Sequence, residues 1–254
     1  MKTLVLYVFH IYNERVQHFI DKAIFKDDNV DFMIICNNLE INLEKYNIPD
    51  YVICMKRNNI GFDFGGWSEA LITNNFYKNY DYFIFVNSSV LGPYLPKKFK
   101  GKWTDIYING LTSSVRLFGS TIHNLKSVQN LPHVQSYIFA MDKEIVEYLI
   151  MFDVFSITNY TSTLYATISS KEIFMSMIIL QKWNIGCLLP CYKNVNFIEE
   201  MKNTINTNLS PELYQYLHNT NQTDLCYNKF YNKLWTETDV IFIKGNRDII
   251  INPK

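Results

Sequence analysis

The hydrophobic positions of this chain fall into short runs separated by polar turns, and the runs alternate between strand-like and helix-like spacing. Residues 3–9 (TLVLYVF) are an unbroken stretch of β-formers, the pattern of a strand buried on both faces of a parallel sheet. After a polar loop, Val16, Phe19, Ile20 and Ala23 recur at helical spacing. Residues 30–35 (VDFMII) and 51–55 (YVICM) repeat the strand pattern. All three predicted strands run into polar residues, at 10–13, at Asn37-Asn38 and at 57–63, as expected where strand ends line a ligand site.

The stretch 57–96 is the most informative. Asn58, Asn59, Gly61, Asp63, Gly65 and Gly66 read as a flexible polar turn, because glycine tolerates positive φ and admits a ligand close to the backbone. Residues 67–76 then predict a helix, and 82–86 (YFIFV) a buried strand that stops at Asn87-Ser88-Ser89 and Gly92-Pro93. In open α/β sheets ligands sit beyond the carboxyl ends of the strands, so the two polar clusters are expected to face one crevice. The same residues also read as solvated turns, which Asn, Gly and Ser favour anywhere.

Downstream, 103–111 (with DIYING) predicts a short strand, 133–141 another, and Asp142 caps a helix over 143–152. Residues 153–169 read as an irregular Thr/Ser-rich loop. Ser169 and Glu172 have capping-box spacing, predicting a helix start there that runs to Leu180 and ends by Gly186, with 188–192 returning toward the sheet. The tail predicts helical segments at 211–217 and 229–235 and a strand at 240–243, followed by Lys244-Gly-Asn-Arg247. No internal repeat or long linker marks a second domain, so the tail is expected to wrap the same core.

Composition narrows the function. At 254 residues the chain can bury a large core without staples. Lys plus Arg and Asp plus Glu balance at 24 each, with no basic run, which argues against a nucleic-acid partner and favours a small-molecule or sugar role. The five cysteines (36, 54, 187, 191 and 226) are odd in number and lack CxxC spacing, against a disulfide framework or structural zinc. A reducing, cytoplasmic setting is expected. No apolar run approaches the roughly 18 residues of a membrane span, and the first hydrophobic run reads as a strand rather than a leader. There is no GxGxxG after the first strand and no GxxxxGK[ST], which disfavours a dinucleotide oxidoreductase and a P-loop nucleotidase.

With NIGFDFGGW at 59–67, VNSSVLGP at 86–93, HVQSYIFAMDKEIV at 133–146, Glu172 with Ser176 and Gly186, and FIKGNR at 242–247 in this order, the chain resembles GT-A glycosyltransferases, most closely the rhamnan synthesis protein F family. The resemblance runs from about residue 4 to 247. It implies a single α/β, GT-A-like domain with a mostly parallel central sheet flanked by helices: residues 1–100 as the nucleotide-sugar-binding half, 101–200 as the acceptor and catalytic half, and 201–254 packing on the core. It further implies transfer of a hexosyl or deoxyhexosyl group from a nucleoside-diphosphate sugar to a saccharide acceptor, with inversion, in polysaccharide synthesis.

On that resemblance Glu172 is the expected general base and Asp142 the runner-up. Asp63, Asn59, Gly61 and Arg57 are expected at the nucleotide, His133, Gln135 and Tyr137 at the acceptor, and Asn87, Ser88 and Ser89 beneath the diphosphate; His10 is a substrate-binding candidate without an assigned role that also reads as a packing or exposed residue. Asp63 is also readable as a plain helix cap, Glu172 as half of a capping box, and Lys244 and Arg247 as a solvated edge. The family's carboxylates for Mn²⁺ or Mg²⁺ fall at Asn87 and Ser88, and Asp81 lies at the wrong end of the strand to replace them. Hard cations prefer carboxylates, so Lys244 and Arg247 are the candidates for neutralising the diphosphate. The rival expectation is a non-catalytic nucleotide-sugar or glycan-binding module. A homodimer is compatible with the aromatic tail.

Overall fold

The computed structural model describes residues 1–123, 132–204 and 235–246. Its strands are β1 (Thr3–Phe9), β2 (Val30–Cys36), β3 (Ile53–Lys56), β4 (Tyr82–Asn87), β5 (Val90–Leu91), β6 (Val115–Gly119), β7 (Ile122–His123), β8 (His133–Val134), β9 (Ile138–Asp142), β10 (Asn184–Cys187) and β11 (Ile243–Lys244). Seven of them form one sheet in the order β10-β6-β9-β4-β1-β2-β3. β1 pairs in parallel with β2 and β4, β2 with β3, and β10 with β6, whereas β9 runs antiparallel to both β4 and β6. The sheet is therefore mostly parallel, as expected. Two small antiparallel ribbons, β5–β11 and β7–β8, complete the described strands.

The helices are α1 (Glu14–Ala23), α2 (Phe62–Ile72), α3 (Trp103–Asn109), α4 (Lys143–Met151), α5 (Leu164–Thr167), α6 (Phe174–Leu180) and α7 (Phe197–Thr204), with one further turn at Glu237–Val240. Alternation along β1 explains why its whole run is apolar. Leu4, Leu6 and Val8 join the core under α2, α4 and α6, while Val5, Tyr7 and Phe9 join the core under α1 and α3. Trp67 on α2 donates its indole N–H to Leu6 O at 3.2 Å, and Trp103 on α3 donates to Ala23 O at 2.8 Å, fixing one helix on each face. No helix among the described residues is long and apolar enough to cross a membrane.

The structure departs from the sequence reading at several places, each with a packing reason. α2 begins at Phe62, five residues ahead of the expected start, because Gly61 adopts φ 73° as its N-cap and Gly65 and Gly66 are buried in its first turns. A Cβ on Gly65 would lie 2.0 Å from Ile60 O, so these glycines serve close packing rather than a loose turn. The segment 103–111 is helix, not strand: Trp103, Thr104 and Tyr107 bury one helical face, and that burial overrides the β-propensity of its Ile and Tyr. β6 went unrecognised within 112–132. The strand expected over 133–141 is two, β8 and β9, broken at residues 135–137.

The helix expected to start at Ser169 in fact starts at Leu164, with Thr163 accepting from Ala166 N, and continues through a π-helical turn (Ile168–Ile173) into α6. Ser169 Oγ donates to Tyr165 O and Ala166 O, so it caps nothing. Gly186 lies inside β10 rather than at the helix end, and in 188–192 Leu188 N donates to Gly119 O of β6 at 3.1 Å before a 3₁₀ turn at Pro190–Tyr192. Of the expected strand 240–243, only Ile243 is extended, because Ile241 turns at φ 63°. Trp235, Val240 and Ile243 are buried in the cluster under α2, α4 and α6, and Phe242 in the cluster under α1 and α3. The expected helix at 211–217, most of that at 229–235, Cys226 and Arg247 lie outside the described residues.

Candidate active site

The site forms where β4 ends. Asn87 is the last residue of that strand, and Ser89 folds back so that its backbone N–H and its hydroxyl donate to Asn87 Oδ1 at 3.0 and 2.6 Å. A backbone N–H can only donate, which settles the orientation of the Asn87 amide. Its Nδ2 therefore faces the other way and donates to Asp63 Oδ2 at 3.0 Å. Asp63 sits in the first turn of α2, where the helix dipole favours a negative charge. Arg15, in the first turn of α1, supports the same turn from behind, with Nε donating to Ser88 O at 3.1 Å.

Two other segments close the site. In the β5–β11 ribbon Lys244 is opposite Val90, and Gly245 N donates to Ser89 O at 2.6 Å, so the lysine is carried alongside the 87–89 turn. From the π-helical turn Glu172 is held by the β8–β9 connection: Oε2 accepts from Ser136 N at 3.0 Å and from Ser136 Oγ, and Oε1 lies 3.4 Å from His133 Nε2. Between these segments lies a cavity of about 380 Å³, lined by Asp63, Asn87, Ser88, Ser89, Ser136, Tyr137, Glu172, Lys244 and Asn246, with Leu164 and Thr167 of α5 also on its lining.

The two carboxylates differ in character. Burial pushes the Asp63 carboxyl up to about 6; the Asn87 amide works against this, the Glu172 charge adds to it, and the Lys244 charge lowers it. Burial also raises Glu172, but the hydrogen bond and charge of His133, the charge of Lys244 and the Ser136 hydroxyl outweigh it and bring Glu172 down to about 2. Asp63 Oδ1 accepts no hydrogen bond from the described residues, whereas both oxygens of Glu172 are engaged.

Asp63, Asn87, Ser88, Ser89, Tyr137, Glu172 and Lys244 thus come together from distant parts of the sequence. Other candidates do not join them. Arg57 is buried and spends its guanidinium on Glu69 (2.8 Å), Asn37 (3.0 Å) and Ile60 O (2.8 Å), which makes it a brace for the β3–α2 connection. Asn59 Oδ1 accepts from Asn37 Nδ2, Gly61 caps α2, and His10 Nδ1 lies 2.8 Å from Asn37 O. These four residues cluster at the ends of β1 to β3 rather than on the cavity. Gln135 is buried with Oε1 accepting from Thr121 Oγ1. Asp142 is opposite Tyr82, at the other end of β4 from Asn87, where it caps α4 and pairs with Arg116 at 2.7 Å; it is removed from the site. Sequence reasoning missed Ser136 and Asn246, although both lie beside residues it had singled out.

The donors do not fit the divalent cation that the resemblance implied at Asn87 and Ser88. Asn87 Oδ1 already accepts two hydrogen bonds, its Nδ2 cannot ligate, and Glu172 is committed to Ser136 and His133. That leaves a cation one open carboxylate oxygen, Asp63 Oδ1, beside weakly ligating hydroxyls, with the rest of its shell to come from phosphate and water. Among the described residues no group of three His, Cys, Asp or Glu could hold a metal ion.

Fold and cavity together define an α/β domain with a polar cavity at the carboxyl end of a strand of a mostly parallel sheet. The model of one family, rhamnan synthesis protein F, matches residues 32–186, more than half of the chain, and the protein belongs to that family. Among solved structures, the chain is similar to the apo form of the bifunctional glycosyltransferase WbbM (11% identity, 80% of this chain and 44% of that one, TM-score 0.41). It is also similar to the apo form of the glycosyltransferase GlyE of Streptococcus pneumoniae TIGR4 (11%, 83% and 52%, 0.39) and to a cytidylyltransferase of Leptospira borgpetersenii (11%, 87% and 95%, 0.36). The chain spans about half the length of the two glycosyltransferases. No curated protein sequence matches it.

Proposed function

We propose that the protein transfers a hexosyl or deoxyhexosyl group from a nucleoside-diphosphate sugar to a saccharide hydroxyl with inversion, in the cavity at the end of β4. The acceptor oxygen bonds to the anomeric carbon, the bond from that carbon to the diphosphate breaks, and the diphosphate leaves with the electron pair. The acceptor proton goes to Asp63 Oδ1. The observation that carries this reading is the pairing, in one cavity, of a carboxylate with an open oxygen and a raised pKa with a cation able to meet a phosphate. Glu172, expected as the base, is held as a fixed anion by His133 and Ser136, and a carboxylate near 2 is a weak proton acceptor at neutral pH.

The donor class is tested by thermal shift of the protein against UDP-, GDP-, dTDP- and CDP-sugars. A donor at a hundred times its Kd should raise stability by about 2.7 kcal/mol. A shift without transfer to any saccharide would favour the non-catalytic binding module. The base is tested by the pH dependence of kcat/KM, which should rise through about pH 6 as Asp63 ionises. Asp63→Asn should cost about 10²–10⁴ in kcat while leaving the fold intact. A profile flat from pH 5 to 8 would return the role to Glu172.

A further inference from the structure

We infer that the leaving diphosphate is neutralised by the Lys244 ammonium rather than by a divalent cation, so that donor binding and transfer need no metal. This rests on the glycosyltransferase reading and adds to it how the site handles phosphate charge. The argument starts at Asn87. Because the Ser89 backbone N–H claims Oδ1, the amide turns an N–H, not an oxygen, toward Asp63, and an N–H repels a cation. Residues 87–89 themselves therefore offer a hard cation no carboxylate and no free side-chain carbonyl, and Asp63 Oδ1 is the one open carboxylate oxygen beside them among the described residues.

Lys244 occupies the neighbouring position by backbone architecture. β11 pairs with β5 directly after the 87–89 turn, and Gly245 N closes onto Ser89 O. Gly245 itself packs tightly, since a Cβ there would meet Leu91 Cβ at 2.8 Å and Arg15 Cδ at 3.1 Å. The lysine is thus bound into the same clip as the turn it faces. Its charge acts on both Asp63 and Glu172, yet among the described residues it makes no ion pair within 4.0 Å. Glu172 is already compensated by His133 and Ser136, which leaves the ammonium available to an incoming anion. An ammonium with three donors on a flexible stem suits a phosphate that gains charge as the glycosidic bond breaks.

The test uses the whole chain and its Lys244→Met and Lys244→Arg variants, each titrated with UDP, GDP, dTDP and CDP in EDTA and again with Mn²⁺, followed by transfer assays under both conditions. One nucleotide should shift the wild type equally in EDTA and in Mn²⁺, with transfer unaffected by chelation. Lys244→Met should lose about 10–100-fold in affinity for that nucleotide, the worth of a hydrogen bond to a charged group, and Lys244→Arg should recover most of it. Binding or transfer that appears only with the metal would overturn the inference and leave the glycosyltransferase reading standing, as would a Lys244→Met variant that binds as tightly as wild type. Absence of binding to every nucleotide and nucleotide sugar, with or without metal, would overturn both.

Discussion

Asp63 and Glu172 show how two like residues acquire opposite properties from their surroundings. Glu172 has a folded pKa below its ordinary value, so its contribution to stability is present above about 4.5 and is lost as pH falls through about 2. Asp63 has the reverse sign. Its folded pKa lies above the 3.8 of the unfolded chain, so above about 6 the folded state carries a charge it holds less well than the unfolded state does. Allowing for water at the cavity mouth, that costs about 1–3 kcal/mol at neutral pH. Asp63→Asn should therefore raise Tm at pH 7, by about 2–4 °C for each kcal/mol recovered, while slowing transfer by about 10²–10⁴. It should also remove Asp63's share of any gain in Tm between pH 7 and pH 5. Calorimetry at the two pH values checks both, and an unchanged or lower Tm would mean that Asp63 is well solvated.

At the scale of elements, α2 and the α5–α6 run decide where the two carboxylates point. α2 comes close to the sheet because Gly65 and Gly66 present no side chain to Ile60 O, Val8 and Asn37. Gly65→Ala should push the helix off the β3–α2 connection and cost about 1–3 kcal/mol or more, read as a lowered urea midpoint, with weakened nucleotide binding through displaced Asp63. An unchanged midpoint would mean that the connection yields freely. In the other run, Lys171 is buried and donates to Asp153 O while its neighbour Glu172 faces the cavity. The π-helical turn at Ile168–Ile173 accompanies this pairing of consecutive inward residues at a functional site. Capping chemistry was the wrong guide here, because Ser169 and Glu172 have the right spacing for a helix start but sit in the middle of a longer helix.

The whole molecule brings the tail to the site. Phe242 is buried against Phe19, Trp103 and Tyr107, between the sheet and the α1–α3 layer, and Lys244 follows two residues later. Phe242→Ala should cost about 3–5 kcal/mol, and because it loosens the root of the β5–β11 ribbon it should weaken nucleotide binding beyond the loss of folded protein. Titration of the folded fraction at low temperature separates the two effects; unchanged affinity there would show that the ribbon is held by its own pairing with Ser89 and Val90.

The strands β1, β2 and β4, the helices α1 and α4, and the polar ends of the strands were readable in the sequence. Their signals are local: unbroken apolar runs, 3.6-residue spacing and Asp142 before a helix. Of the residues that line the cavity, Asp63, Asn87, Ser88, Ser89, Tyr137, Glu172 and Lys244 stood out in the sequence through short motifs, whereas Ser136 and Asn246 did not. Tertiary structure alone decided that 103–111 is a helix, that Gly65 and Gly66 pack rather than flex, that Asp142 lies at the far end of β4, and that Arg57 is a brace. It also decided which carboxylate keeps an open oxygen, since that depends on Ser89, Ser136 and His133 reaching across the fold. Periodicity reports which face of an element is buried, but charge, hydrogen-bond direction and proton affinity depend on neighbours that are distant in sequence.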